Sequence, residues 1–303
     1  MTTTAFGPAA AKKERPEFLR LVKSEWRKVR SLRFWWILLT APLVITALST
    51  VAGLAALAGV QGDEDAFHRY GSSLFSVLTL LLGYAGFFAA GALTILFCGI
   101  FAGVNAASEF QHRTIAHTYA TARSRDRAIA AKLLVTTLFG IGYGLVLDFV
   151  VVLATYLLGS FESSTLHRSS ISAGFVAGVC LASVLVAVLW TWIGTGLGLL
   201  AGSPLSATVA QAFWSFPGEP LLWLILGFIT LSSQGTGAAA AARFLPVSAT
   251  GQTLLGSAIV LDKSGADQNT GITMLAYGPP SLAVWAVLIL GLGWWRARTR
   301  DIT

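Results

Sequence analysis

Residues 35–60 read WWILLTAPLVITALSTVAGLAALAGV, a run without one ionisable side chain. A helix rises about 1.5 Å per residue and a bilayer core is about 30 Å thick, so about 20 such residues cross it. Further apolar blocks follow near 73–106, 133–159, 171–200, 205–232 and 279–295. Together they predict an all-α polytopic membrane protein with six transmembrane helices. Composition agrees: 55% of residues are hydrophobic, 12% are charged, and the mean hydropathy is +0.70. A water-exposed surface could not accommodate that balance at this length, which excludes a soluble domain.

The charges orient the chain. Of 21 Lys and Arg residues, Lys12, Lys13, Arg15, Arg20, Lys23, Arg27, Lys28, Arg30 and Arg33 precede the first block. Arg113, Arg123, Arg125, Arg127 and Lys132 follow the second, and Arg296, Arg298 and Arg300 follow the last. The other gaps contain only Arg69, Arg168, Arg243 and Lys263, beside the acids Asp63, Glu64, Asp65, Glu162, Asp262 and Asp267. The positive-inside bias then predicts both termini in the cytoplasm of a cell-membrane protein. The net charge of +7 does not indicate nucleic acid, because the basic residues border spans and alternate with Trp26, Trp35, Trp36, Trp294 and Trp295, as interfacial anchors do. Cys98 and Cys180 lie inside apolar blocks, where they suit packing rather than a disulfide or a zinc site.

Residues 1–34 are too long and too charged for a simple cleavable signal, so the first span is expected to be retained. From Pro16 the pattern is helical, with Leu19, Val22, Trp26 and Val29 on one side and Arg20, Lys23, Arg27 and Arg30 one position on. Such a helix should lie along the cytoplasmic leaflet with its basic side chains on anionic lipid headgroups. The link 107–132 exceeds what two adjacent spans require. From Glu109 to Tyr119 it has neither Gly nor Pro, and Phe110, Thr114, Ile115 and Thr118 share one side, which suits a short helix presented to a cytoplasmic partner; the alternative is a solvated loop obeying the positive-inside bias.

Four strings carry a resemblance: SEWRKVRSLRFWW (24–36), SEFQHRTI (108–115) continuing to SRDRAIAAK (124–132), RFLPVSATGQ (243–252) and RARTRD (296–301). They resemble actinobacterial ABC transporter permeases of the type 2 export family. Glu25, Lys28, Ser31 and Arg33 match that family's opening, and Glu109, Thr114, Arg125 and Lys132 its loop. Leu245, Pro246, Gly251 and Gln252 match its outer segment, and Arg300 with Asp301 its tail. The chain departs from the family at Arg113, where Gly is common, and at Arg123, where Pro is common.

The resemblance implies a permease that pairs with a second, identical copy and with a separate ABC ATPase subunit. It makes residues 1–34, with Glu25, Trp26 and Lys28, the connecting helix. The loop residues Glu109, Arg113, Thr114, Arg123 and Arg125 become the ATPase-coupling interface of a permease domain covering 35–303. Residues 233–278, with Pro246, Gly251 and Gln252, become an extracellular re-entrant hairpin, and the apolar run Leu254–Leu261 within them is too short to cross a bilayer. ATP and Mg would sit on the partner, since the chain has no Gly-x-x-x-x-Gly-Lys-Ser/Thr string to cradle phosphates and so no cofactor of its own.

Two acids lie within spans, where a charge costs about 2.5–3.5 kcal/mol on insertion scales and is normally turned inward. Asp148, one turn from Gly144, is expected to face the bundle or the pathway, either as a functional charge or as a packing residue. Glu219 sits in Phe216-Pro217-Gly218-Glu219-Pro220, which predicts a kink or discontinuity, either on a substrate path or at a turn near an interface. The spacings Gly140/Gly144, Gly174/Gly178, Gly194/Gly198 and Gly198/Gly202 allow close helix packing within the chain first and across a dimer second. Catalytic and metal sites are not expected: His68, His112, His117 and His167 are divided between the two membrane sides, and neither a His-Glu-x-x-His nor a Gly-x-Ser-x-Gly string occurs. The expected function is export of an amphipathic or lipid-like substrate or drug. The alternatives are a proton-coupled secondary transporter using Asp148 or Glu219, and a membrane immunity or accessory protein that does not transport.

Overall fold

The structure, a computed structural model, describes residues 17–31, 34–62, 85–112, 124–161, 173–233, 237–261 and 268–300. Its regular elements are all helical, and six spans are long and apolar enough to cross a membrane, as the block pattern predicts. In chain order they are α1 (Glu17–Ser31), α2 (Phe34–Gly62), α3 (Ala85–Gln111), α4 (Arg125–Phe161), α5 (Ala173–Ala201), α6 (Pro204–Phe213), a π-helical turn (Trp214–Gly218), α7 (Glu219–Ser233), α8 (Gly237–Ala242), α9 (Pro246–Leu261) and α10 (Gln268–Thr299). α6, the π turn and α7 run on as one span.

The bundle is built around α5, which packs against α3, α4, α6, α9 and α10. Glycines permit this, because a helix can meet several neighbours closely only where no Cβ intervenes. Gly194 and Gly198 lie against the carbonyls of Gly99 and Gly103 on α3, and Gly196 against Gly293 and Ile289 on α10. Gly178 meets Ser257 on α9, while Gly140 and Gly144 of α4 meet Thr191, Val184 and Ala187 of α5. These glycines therefore serve intramolecular packing. Gly202 differs: it takes a left-handed conformation (φ 68°) in the turn from α5 to α6, which Ser203 and Pro204 then reopen as an N-cap and a first helical residue. Outside this core the long faces of α2, α6 and α7 are apolar and exposed, including Leu48, Leu205, Leu224 and Phe228. The buried hydroxyls of Thr50, Thr136 and Thr195 bond carbonyls of their own preceding turn, which satisfies these donors within the helix.

Four expectations change. The packed face of α1 is Leu21, Glu25 and Val29, while Leu19 and Trp26 of the anticipated apolar stripe stay exposed, in the position of lipid-facing anchors. α3 runs on through Glu109 to Gln111 and α4 starts at Arg125, so both ends of the anticipated loop are helical extensions of spans. Of the kink or discontinuity expected around Pro217, the discontinuity does not form; a wide π turn carries the helix through, its Glu219 N–H bonding the Trp214 carbonyl. The last helix starts at Gln268, inside the stretch expected to form the outer hairpin, because Gly271 and Gly278 seat it closely on α9.

Candidate functional site

Most of the bundle's buried charge lies at the end where the basic segments gather. One helical turn separates Glu25 from Lys28 on α1, and the ammonium of Lys28 donates to Glu25 at 2.6 Å and to Glu109, near the end of α3, at 2.9 Å. Lys132, on the second turn of α4, donates to Glu25 at 2.7 Å and to Glu109 at 2.9 Å. The four side chains thus close a ring of alternating charge that sums to zero. Glu25, Glu109 and Lys132 are buried, while the Lys28 side chain is 41% exposed. A buried ion is costly unless paired or well hydrogen-bonded, and the ring ties the surface helix α1 to two membrane-crossing helices.

Around it lies a second set of contacts. Arg125 donates to the carbonyls of Arg298 (2.8 Å) and Arg300 (3.3 Å) at the end of α10, where orphaned helix carbonyls accept cations well. Asp126 receives the Trp294 indole N–H at 2.7 Å and pairs with Arg298 at 3.2 Å, and Arg127 pairs with Glu17 at 2.9 Å. The α1 helix, the start of α4 and the end of α10 are therefore clamped together. Sequence reading singled out Glu25, Lys28, Glu109 and Arg125 separately; Asp126 and Trp294 lacked a partner within reach along the chain to mark them. Glu109 is turned into the ring, and Arg113, Thr114 and Arg123 lie outside the described residues, as do His68, His117 and His167.

Asp148 faces the bundle: it is buried on α4 and accepts the hydroxyl of Ser183 on α5, one turn from the Gly144 contact. Glu219 is also buried, and it works as a helix cap. Helix α9 starts at Pro246 with Leu245 before it, a residue unable to cap, and the Glu219 carboxylate accepts the Val247 N–H (2.7 Å), the Ser248 N–H (2.6 Å) and the Ser248 hydroxyl. Glu219→Gln presents an NH₂ to one of these donors and is expected to lower stability by about 1–3 kcal/mol. A melting temperature equal to that of the parent protein would remove the capping role.

Pro246 is the first residue of α9, and Gly251 and Gln252 follow on it. Gln252 donates to the Arg243 carbonyl at 2.6 Å, fastening α9 to the short connection after α8. With Arg243, Trp223 and Tyr277, Gly251 and Gln252 line a cavity of about 580 Å³, where the Arg243 guanidinium lies 5.5 Å from the Tyr277 ring centre.

Six apolar spans, built around the glycine-faced α5 as one of their number and locked by paired charges at one end, define a multi-pass helical membrane protein. A family model described as ABC-2 family transporter protein matches residues 21–199, from the ring-bearing face of α1 to the last turn of α5. The match covers more than half of the chain, and the chain belongs to this family as an ABC-type permease. Comparison with curated proteins and with solved structures finds no match.

Proposed function

We propose that this chain is the non-catalytic permease subunit of an ABC exporter, which moves an amphipathic or lipid-like compound outward with ATP hydrolysed by a separate subunit. The ring of Glu25, Lys28, Glu109 and Lys132 carries the reading. It stands at the two roots of the 112–124 connection, so a push on that connection reaches α1, α3 and α4 together. In this reading the basic end is cytoplasmic, both termini lie there, and ATP with Mg binds the partner.

The absence of a phosphate-cradling loop in the sequence supports a borrowed motor. Scarcity of charge along the spans supports a substrate of low polarity. A second copy of the chain would complete the pathway, and the exposed apolar face of α6 and α7 offers it a surface as apolar as lipid. Against the alternative of a proton-coupled transporter, Asp148 and Glu219 are both engaged in hydrogen bonds between helices.

Purification of the tagged chain from its native membrane is expected to recover an ATPase subunit whose turnover rises several-fold in the complex. Inverted vesicles holding both should accumulate a fluorescent amphiphile only with ATP. Accumulation by the chain alone under a proton gradient would replace this reading with the secondary transporter.

A further inference from the structure

At the end of the bundle opposite the ion ring, residues of α7, α9 and α10 enclose the cavity of about 580 Å³ that Arg243 lines. Its open side follows α10 past Asn269, Thr273 and Tyr277, all of them exposed. From Arg296 back to Tyr277 this helix spans about 28 Å, and back to Asn269 about 40 Å, so the cavity reaches from the edge of a hydrocarbon core of about 30 Å into the headgroup layer. Trp223 and Tyr277 stand at that boundary, where aromatic residues favour the interface.

Among the described residues Arg243 is the one cation at that end. Its side chain is held in place but not neutralised. The Nε–H donates to the Ala240 carbonyl at 2.9 Å, the guanidinium lies against the Tyr277 ring, and the Gln252 amide fixes the Arg243 carbonyl at 2.6 Å. Neither Nη group has a hydrogen-bonding or acidic partner among the described residues, and both remain accessible on a half-buried side chain. Glu219, behind Ser248 in the wall, is spent on the Val247 N–H and on the N–H and hydroxyl of Ser248. A guanidinium fastened at one edge presents the other as a planar fork, which fits phosphate, the anion that lipid itself supplies at this depth. A cation here without a counter-ion is costly, and a zwitterionic headgroup would leave that charge unbalanced.

We infer that this cavity holds the headgroup of an anionic phospholipid from the leaflet opposite the ion ring, its phosphate oxygens accepting from the Nη groups of Arg243 and its acyl chains leaving past Tyr277 into lipid. The volume lies within the range of about 300–1,000 Å³ found for small-molecule sites, and a bare phosphate ion would leave most of it empty. Such a site requires neither transport nor a particular orientation of the chain in the membrane.

The full chain in nanodiscs, carrying Cys180→Ala and Thr273→Cys, gives a local readout, because Thr273 lines the open side of the cavity and Cys98 is buried. Labelling of the introduced thiol by an uncharged maleimide should be at least about threefold slower in discs that contain phosphatidylglycerol than in discs of phosphatidylcholine alone. Inorganic phosphate added to the phosphatidylcholine discs should not slow it. Arg243→Gln removes the charge, and Gly251→Trp fills the cavity from a position where a Cβ meets nothing within 4 Å. Added to the labelled chain, either should bring the rates in the two kinds of disc together. Gly251→Trp keeps Arg243, so the two losses together separate a filled site from local collapse and from the potential of the charged surface. Equal rates in the two discs before either change, or a slowing that persists undiminished after one of them, overturns the site. Protection by inorganic phosphate equal to that by phosphatidylglycerol overturns the lipid as its source.

Discussion

Lys132→Met is expected to destabilise the protein by about 3–5 kcal/mol, on the order of 10 °C in melting temperature. Lys132 is the buried cation of the ring, and its removal leaves the two buried carboxylates of Glu25 and Glu109 facing Lys28 alone, a net charge of −1. A thiol-reactive dye gives the readout, since Cys98 is free and buried in the folded bundle. The double variant Glu109→Gln/Lys132→Met should recover most of the loss, because it returns the cluster to neutrality around the 2.6 Å pair of Glu25 and Lys28. Lys28→Met should cost far less, about 1 kcal/mol, since its half-exposed position lets water replace the ammonium. Equal damage from Lys28→Met and Lys132→Met would show that burial does not set the value of these pairs. On the exporter reading, Lys28→Met is also the variant in which coupling can be measured in a folded protein.

The spans were legible because lipid imposes one crude requirement, an apolar run of sufficient length. The arrangement was not, since a helix that is apolar all round gives no sign of which side meets a neighbour. Only the glycines mark contact faces, and their partners on other helices are invisible along the chain. Helix ends are hidden in the sequence for a related reason. The apolar block ends near 106, yet Ala107 and Glu109 remain buried and α3 continues, because at this end packing and paired charge rather than lipid set the boundary. Likewise Ala128, Ile129 and Ala131 are buried, so the segment before Lys132 is already helix. Within the site, the spacing of Glu25 and Lys28 was readable locally, whereas Lys28 meets Glu109 81 residues away and Lys132 meets Glu25 107 residues away. Glu219 was recognised as unusual, but its role as a cap depends on a helix 28 residues further on that cannot cap itself.

Replacing Gly194 with valine is expected to split the central helix pair. A Cβ at this position would lie 2.1 Å from the Gly99 carbonyl oxygen, and the neighbouring atoms are backbone, which cannot turn aside as a side chain can. Overpacking a core costs about 1–3 kcal/mol when side chains can adjust and more when they cannot, so the loss should reach or exceed the upper figure. The rearrangement has a local signature. Cys98 stands next to Gly99 on α3, buried in the cluster that includes Val186 and Ile193 of α5. In a Cys180→Ala background, maleimide labelling of Cys98 below the melting temperature should rise at least tenfold in Gly194→Val. Gly227→Ala and Gly291→Ala, where an added Cβ meets nothing within 4 Å, should label like the parent and melt no lower. The contrast rests on the contact rather than on glycine content, because alanine favours a helix over glycine by about 1 kcal/mol at any of these positions. If Gly194→Val keeps Cys98 protected and melts unchanged, α3 and α5 are not apposed along this seam.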